Sequence, residues 1–312
     1  MNYDIIGDIH GHYYELTVLL KKMGYQYDGV SWGHPDRRVL FVGDYIDRGP
    51  MIPQVIQLVQ DMTKNHQAIA LMGNHELNAI LFNQKKETGG YVREHSIKNW
   101  HQHSETLGQF NQLKDADNTY AEFIEWSKAL PMYFENDHFR AVHATWHPKS
   151  IELLEQMDAN KKRGDDFFRE AGREGSELYE HTEIILKGIE IPLPRGVSFN
   201  DKDGTLRKKA RIKWWKDSSE TQANEYIFGA DLGAPEEKLA SDVFDSEWFY
   251  ADEKPVFFGH YWLRNQIQIQ SPYVCCLDYS IGKKDRLVAY RYSGERVLSN
   301  DNFVQVGYGE LG

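Results

Sequence analysis

The sequence predicts an α/β fold built on a β-α-β-α-β core. Three observations carry that reading. Short apolar stretches at 3–6, 39–42 and 68–72 have the length of buried strands. Leu16, Leu19, Leu20 and Met23 recur at helical spacing between the first and second stretches, and Ile52, Val55, Ile56 and Val59 repeat that spacing between the second and third. Asp8 and Asp44, at the first two strand ends, are 36 residues apart, and Asp44 and Asn74 are 30 apart. A βαβ unit takes roughly 30 residues or more, so the strands are expected to be parallel neighbours. Right-handed crossovers then put the three strand ends on one edge.

The remaining elements follow in order. Gly24 closes the first helix as a C-terminal cap. The polar stretch 89–118 contains His95, His101 and His103. It reads as a helical excursion over the site, since the histidine spacing matches no standard ligand pattern for a third metal. Tyr120, Phe123, Ile124 and Leu130 mark another amphipathic helix, stopped by Pro131. Residues 139–142 read as a fourth strand ending at His143. The stretch 149–190 is charged, mostly helical and poor in apolar residues; 191–194 and 200–204 are turn-rich. Strands are expected at 256–258, 266–269, 274–277 and 287–292, the last two as a hairpin around 280–283. The whole chain, 1–312, then reads as one domain with a cap or insertion at about 149–250. The aromatic-rich set Trp214, Trp215, Tyr226, Phe228, Trp248, Phe249 and Tyr250 reads as a small satellite core under that cap rather than a substrate pocket.

Bulk properties narrow the function. The chain has 312 residues, 41% of them hydrophobic and 27% charged, enough for a sizeable core. A net charge of −11 argues against a nucleic-acid polymer or an anionic membrane as partner. It leaves room for a small phosphorylated substrate, because the local field governs inside a cleft. No apolar run approaches the ~20 residues of a membrane span. The N-terminus enters a strand with no positively charged leader, so a cytoplasmic protein is expected. Adjacent Cys275 and Cys276 point to opposite faces of a strand and are expected to be unbridged, buried residues.

The chemistry sits at the strand ends, in Gly7-Asp8-Ile9-His10-Gly11, Gly43-Asp44-Tyr45-Ile46-Asp47-Arg48-Gly49 and Gly73-Asn74-His75-Glu76. Asp8 and His10 can turn toward one ion. Asp44 can bridge two ions with its two oxygens, and Asn74 offers a carbonyl to the second. Oxygen and imidazole donors suit divalent metals. Two more imidazoles would complete the set. His143 and His260 are the best candidates, because both follow short apolar runs. Two ions about 3.5–4 Å apart can hold a bridging hydroxide and clamp a phosphoryl group. Asp47 and Arg48 add a carboxylate and a bidentate fork of the kind that grips phosphate.

Taken together, the three runs resemble the signature of the phosphoprotein phosphatase family, which includes Ser/Thr phosphatases, the lambda-phage phosphatase and bacterial diadenosine tetraphosphatases. The later His-Gly-Gly motif stands here as His143-Ala144-Thr145-Trp146. Gly259-His260 fits the last metal histidine, and Leu277-Asp278-Tyr279-Ser280 resembles the Leu-Asp-Thr-Gly of the bacterial branch. The resemblance implies a metallophosphoesterase β-sandwich flanked by helices. It implies one metal on Asp8, His10 and Asp44 and another on Asp44, Asn74, His143 and His260, with manganese expected and iron, zinc, nickel or cobalt as alternatives. His75 would protonate the leaving oxygen, oriented by Asp47, and Arg48 would grip phosphate oxygens. A second arginine would come from Arg195, Arg207 or Arg211; Arg211 is chosen because it precedes Trp214-Trp215 in an alternating run. The expected activity is a dinuclear-metal phosphatase on phosphomonoesters or phosphopeptides. The alternative is a dinucleoside polyphosphate (diadenosine tetraphosphate) hydrolase. A non-catalytic binding protein on the same fold would have lost a ligand or His75, and neither loss is present.

Overall fold

A computed structural model describes residues 2–158, 163–193, 198–200, 206–217, 223–229, 248–264 and 266–310. The elements run β1 (Asn2–Ile6), α1 (Tyr13–Lys22), a small β2–β3 pair (Gln26–Tyr27, Trp32–Gly33), β4 (Arg37–Phe41), α2 (Ile52–Lys64), β5 (Ala68–Ala70) and α3 (Asn74–Asn83). Then come α4 (Ile97–Phe110), α5 (Ala116–Lys128), β6 (Tyr133–Glu135), β7 (Arg140–Val142), α6 (Pro148–Asp158), α7 (Asp165–Ala171) and α8 (Glu177–Lys187). Short strands β8 (Glu190–Pro192), β9 (Phe199–Asn200), β10 (Leu206–Arg207) and β11 (Lys209–Ile212) follow, with α9 (Ala223–Tyr226) and β12 (Ile227–Phe228). The chain ends on β13 (Val256–Phe258), β14 (Val274–Cys276), β15 (Arg286–Tyr292) and β16 (Phe303–Gly307).

Two sheets form a sandwich. One has the order β16-β15-β1-β4-β5 and the other β14-β13-β7-β6. β1, β4 and β5 are parallel, as their spacing demands. β7, β13 and β14 are parallel in the second sheet. Alternation along the strands splits the side chains between two cores. Ile5, Leu40, Val42, Leu71, Phe139, Phe257, Cys275 and Tyr290 pack between the sheets. Ile6, Val39 and Phe41 face outward, against the buried stripes of α1 (Leu16, Leu19, Leu20) and α2 (Val55, Ile56, Val59). Each such side chain, fully buried, is worth roughly 1.5–3 kcal/mol of transfer free energy. Gly24 sits just past α1 at φ +91°, the conformation a glycine supplies most cheaply after a helix.

Several expectations are corrected. Residues 274–277 and 287–292 do not form a hairpin: β14 pairs with β13 while β15 pairs with β1 and β16, so the two strands lie in different sheets. The loop between them turns from one sheet to the other past the strand-end loops. Residues 266–269 are irregular; Gln268 bonds the Tyr279 hydroxyl instead of a ladder. Residues 191 and 192, read as part of the 191–194 turn, belong instead to β8, which pairs with β11 and puts the fully buried Ile191 in the core. The rest of the 200–204 turn expectation lies outside the described residues. The helices of 149–190 are not apolar-poor in effect. Leu154, Phe168, Leu178, Ile185 and Leu186 are all buried in the main cluster. Trp214, Trp215, Tyr226 and Tyr250 also join that cluster rather than a satellite. Trp214 Nε1 donates to the Ala144 carbonyl at 3.0 Å, so the residue following His143 is tied to this aromatic wall. Cys275 and Cys276 are buried and unbridged.

Candidate active site

The C-terminal ends of six parallel strands, three from each sheet, converge. β1 leads to Asp8 and His10, and β4 to Asp44, Asp47 and Arg48. β5 leads to Asn74 and His75 in the first turn of α3. β7 leads to His143, β13 to His260, and β14 to Asp278. The backbone is bent hard to aim these side chains. His10 (φ 47°), Asp44 (57°), Asp47 (65°), Arg48 (68°) and His260 (63°) all occupy the left-handed region that L side chains avoid. Such strain concentrates where surrounding structure over-determines a site. Two glycines are required by close approach: a Cβ on Gly73 would lie 2.2 Å from Asp44 Oδ1, and one on Gly259 would lie 2.0 Å from Asp8 Oδ1. Glu76, fully buried, ties two of the loops together. Its Oε2 accepts from the Asp44 and Gly73 N–H groups and its Oε1 from Tyr45 N–H, each at 2.9 Å. Burial and the Asp44 carboxylate push Glu76 up to about 8, against the pull of those N–H donors.

Backbone carbonyls set the tautomers of His10 and His143. His10 Nδ1–H donates to the Ile46 carbonyl at 2.8 Å, which leaves the Nε2 lone pair 3.6 Å from Asp44 Oδ2. His143 Nδ1–H donates to the Val42 carbonyl at 2.8 Å, leaving its Nε2 3.0 Å from Asn74 Oδ1 and 3.4 Å from Asp44 Oδ1. His260 places Nδ1 2.7 Å from Asn74 Oδ1, and its Nε2 is buried with no hydrogen-bond partner. Its backbone N–H donates to both Asp8 oxygens at 3.2 Å. Lone pairs of Asp44, Asn74, His10 and His143 therefore face one another in a buried space. Such an arrangement could hold a cation between them, and the donor set fits divalent metals. Burial, with Arg48 and Arg211 nearby, lowers His10 and His260 well below the usual imidazole range, the neutral form a ligand requires. Burial opposes ionisation of Asp44, yet His143, His75 and His10 bring it down to about 2. Burial, Asp278 and Asp44 raise Asp8.

The metal-grade atoms fall into two groups sharing Asp44: His10, Asp44 and His75, and Asp44, His143 and His260. The first differs from the expected trio, with His75 standing where Asp8 was expected. His75, however, has its Nδ1 committed to Asp47 Oδ2 at 2.5 Å. Its other nitrogen, Nε2, lies 3.3 Å from Arg48 Nη2. Burial disfavours the His75 cation, but the Asp44 charge and the Asp47 hydrogen bond outweigh it and raise the group. Burial likewise opposes ionisation of Asp47, and bonds from His103 and His75 hold it well below the carboxylate range.

His103 and Thr106 are site residues that the sequence reading missed. His103 Nδ1–H donates to Asp47 Oδ1 at 3.0 Å, and Thr106 Oγ1–H donates to the same oxygen at 2.5 Å. Thr106 Oγ1 also accepts from Asp47 N–H. Behind His103 the chain continues: Nε2 accepts from Tyr120 OH, which accepts from Asn83 Nδ2. The available signal was their i, i+3 spacing on one face of α4. His95 belongs elsewhere, stacked between Phe82 and Tyr91 at 3.9 Å from each. Of the three arginine candidates, Arg211 is near His260 and faces the rings of Tyr261 and Trp262. Its Nε and Nη1 are buried without a hydrogen-bond partner. Arg207 is exposed on β10, and Arg195 lies outside the described residues.

Residues 1–260 match the family model described as calcineurin-like phosphoesterase. A relative from Halalkalibacterium halodurans, bis(5'-nucleosyl)-tetraphosphatase PrpE [asymmetrical], is 36% identical over 151 residues, 46% of this chain and 57% of that protein. The protein of the same name from Anoxybacillus flavithermus is 46% identical over 76 residues, 24% of this chain and 31% of that protein. The chain thus spans about half the length, or less, of these relatives. Among solved structures, a putative diadenosine tetraphosphatase aligns at 17% identity and TM-score 0.48, covering 99% of this chain and 95% of that one. A protein serine/threonine phosphatase from Saccharomyces cerevisiae aligns at 14% identity and TM-score 0.49, covering 100% and 81%.

Proposed function

The chain belongs to the calcineurin-like phosphoesterases, and from that premise we propose that this metal-dependent phosphoester hydrolase cleaves dinucleoside polyphosphates of the diadenosine tetraphosphate type. The observation that carries the chemistry is the convergence of unprotonated donors around Asp44. The substrate class is supported by the named activity of relatives that are 36% and 32% identical to this chain over 151 and 147 residues. That similarity ranks this reading above the phosphomonoesterase reading the sequence first favours.

Asp8, His10 and Asp44 would hold one divalent ion, and Asp44, Asn74, His143 and His260 the other, manganese being the metal we infer. Such ions supply a lowered water pKa and charge stabilisation at the phosphoryl oxygens. The chain's own residues do the rest. In this role His75 Nε2 would carry the proton to the leaving oxygen, while the Nδ1–H bond to Asp47 orients the ring and favours its charged form. Arg48 fixes phosphoryl oxygens next to that proton. Arg211 brings buried N–H donors that want an acceptor, as a phosphate-binding fork would. We infer that 149–250 forms the cap of a single domain, with its aromatic wall backing the Arg211 strand. The test is activity of purified, metal-reconstituted protein against diadenosine tetraphosphate, para-nitrophenyl phosphate and phosphoserine and phosphotyrosine peptides. The proposal expects kcat/KM to be highest on the tetraphosphate. Preference for a phosphopeptide would overturn it.

A further inference from the structure

We propose that the crevice on the outer side of His75 is a subsite for an anionic leaving group, with Arg93 as its cation; this rests on the reading of His75 as the proton donor. The crevice is lined by Asp47 and His75 on the catalytic side and by Asn78, Arg93, Asn99 and Gln102 on the other. Arg93 is half-buried and oriented by two neutral amides. Nη1 donates to Asn78 Oδ1 at 3.0 Å and Nη2 to Gln102 Oε1 at 2.6 Å. Among the described residues, no carboxylate lies at ion-pair distance from it. The carboxylates that act on it from farther away are Asp47 and Glu183. Asp47 is already committed to His75, His103 and Thr106.

A cation withdrawn from water without a counter-ion is a costly arrangement unless something anionic completes it. Burial pulls the Arg93 guanidinium below its ordinary value, which agrees with that position. Amides on both arms fix the fork while leaving further N–H donors of the guanidinium for a ligand. Surface arginines paired with carboxylates, such as Arg173 with Glu170, show the ordinary alternative.

The position decides which part of the substrate is met. In hydrolysis a hydroxide oxygen bonds to phosphorus and the bond from phosphorus to the bridging oxygen breaks. The electron pair stays on the bridging oxygen, which takes the His75 proton or keeps the negative charge. Under this proposal the group attached to that oxygen lies beyond His75, at the mouth of the crevice. A serine leaves as a neutral alcohol and a nitrophenolate with a single charge. A nucleoside polyphosphate leaves with several charges, and Arg93 with its amide neighbours matches it by charge and by bidentate geometry.

The experiment compares wild type with Arg93→Gln and Arg93→Lys as full-length, metal-loaded protein. On diadenosine tetraphosphate against para-nitrophenyl phosphate, Arg93→Gln should lose about tenfold more kcat/KM on the tetraphosphate, with partial rescue by Arg93→Lys. Equal losses on both substrates would make Arg93 structural and overturn the subsite. A second arm measures binding of adenosine triphosphate and of orthophosphate by calorimetry, with the loading metal in excess. Arg93→Gln should weaken triphosphate binding about tenfold more than orthophosphate binding. If wild type fails to cleave the tetraphosphate, the proposed function falls, while this binding arm still reads the subsite. Triphosphate affinity unchanged in Arg93→Gln overturns the subsite whatever the substrate proves to be.

Discussion

His75 stands beside the converging lone pairs with one ring nitrogen on Asp47 and the other next to Arg48. That geometry suits a proton donor better than a ligand, and the two roles separate experimentally. His75→Asn should leave metal content unchanged and lower turnover by about 10²–10⁴-fold, the usual worth of acid–base catalysis. The loss should be smaller for a nitrophenolate leaving group than for an alkyl alcohol, since the former needs little protonation. Equal losses on para-nitrophenyl phosphate and an alkyl phosphate would contradict the acid role. Arg211 makes a second residue-scale prediction. Its Nη2 faces Glu190 Oε1 at 3.6 Å, but its buried Nε and Nη1 have no partner and should be satisfied by substrate, so Arg211→Ala should raise KM and lower kcat together. Arg211→Lys should restore only part, because a point charge cannot replace a planar fork. Full recovery by lysine in steady-state kinetics would assign Arg211 to packing against Tyr261 and Trp262 instead.

At the scale of elements, the helix α4 is locked onto the site through Thr106 and His103 on Asp47. Thr106→Val keeps the shape and removes both hydrogen bonds, leaving a buried N–H and a carboxylate lone pair unmet. Stability should fall by about 1–3 kcal/mol, read as a lower urea midpoint at unchanged slope. kcat should fall as well with metal content constant, because Asp47 then orients His75 less firmly. What the sequence disclosed at this scale follows from period and spacing. β1, β4, β5 and the helices between them were legible because apolar runs alternated with 3.6-residue stripes at βαβ distances. The segment 280–283 looks like a hairpin turn between β14 and β15, whereas its chain crosses between sheets. That choice depends on long-range pairing no local pattern encodes. His103 and Thr106 stayed hidden for a similar reason: only the docking of α4 brings their face to Asp47. Asp44, Asn74 and His75 were legible because their roles lie within contiguous strand-end runs.

For the whole molecule, the centre holds together two sheets whose loops each contribute buried carboxylates. Asp8, Asp44 and Asp278 lie close enough to repel one another, and burial raises both Asp8 and Asp278. Two divalent cations would relieve that repulsion, so chelation should destabilise the fold as well as abolish activity. Dialysis against EDTA is expected to lower the thermal midpoint, and Mn²⁺ to restore both midpoint and turnover. A chain that keeps full stability and activity after complete metal removal would refute the metal centre. Asp44 gives the most direct test, because its two oxygens face both halves of the site. Asp44→Asn should fold, bind less than one equivalent of metal by elemental analysis, and lose diadenosine tetraphosphate hydrolysis by about 10³-fold or more. Two equivalents of metal retained with near-normal turnover would contradict the account.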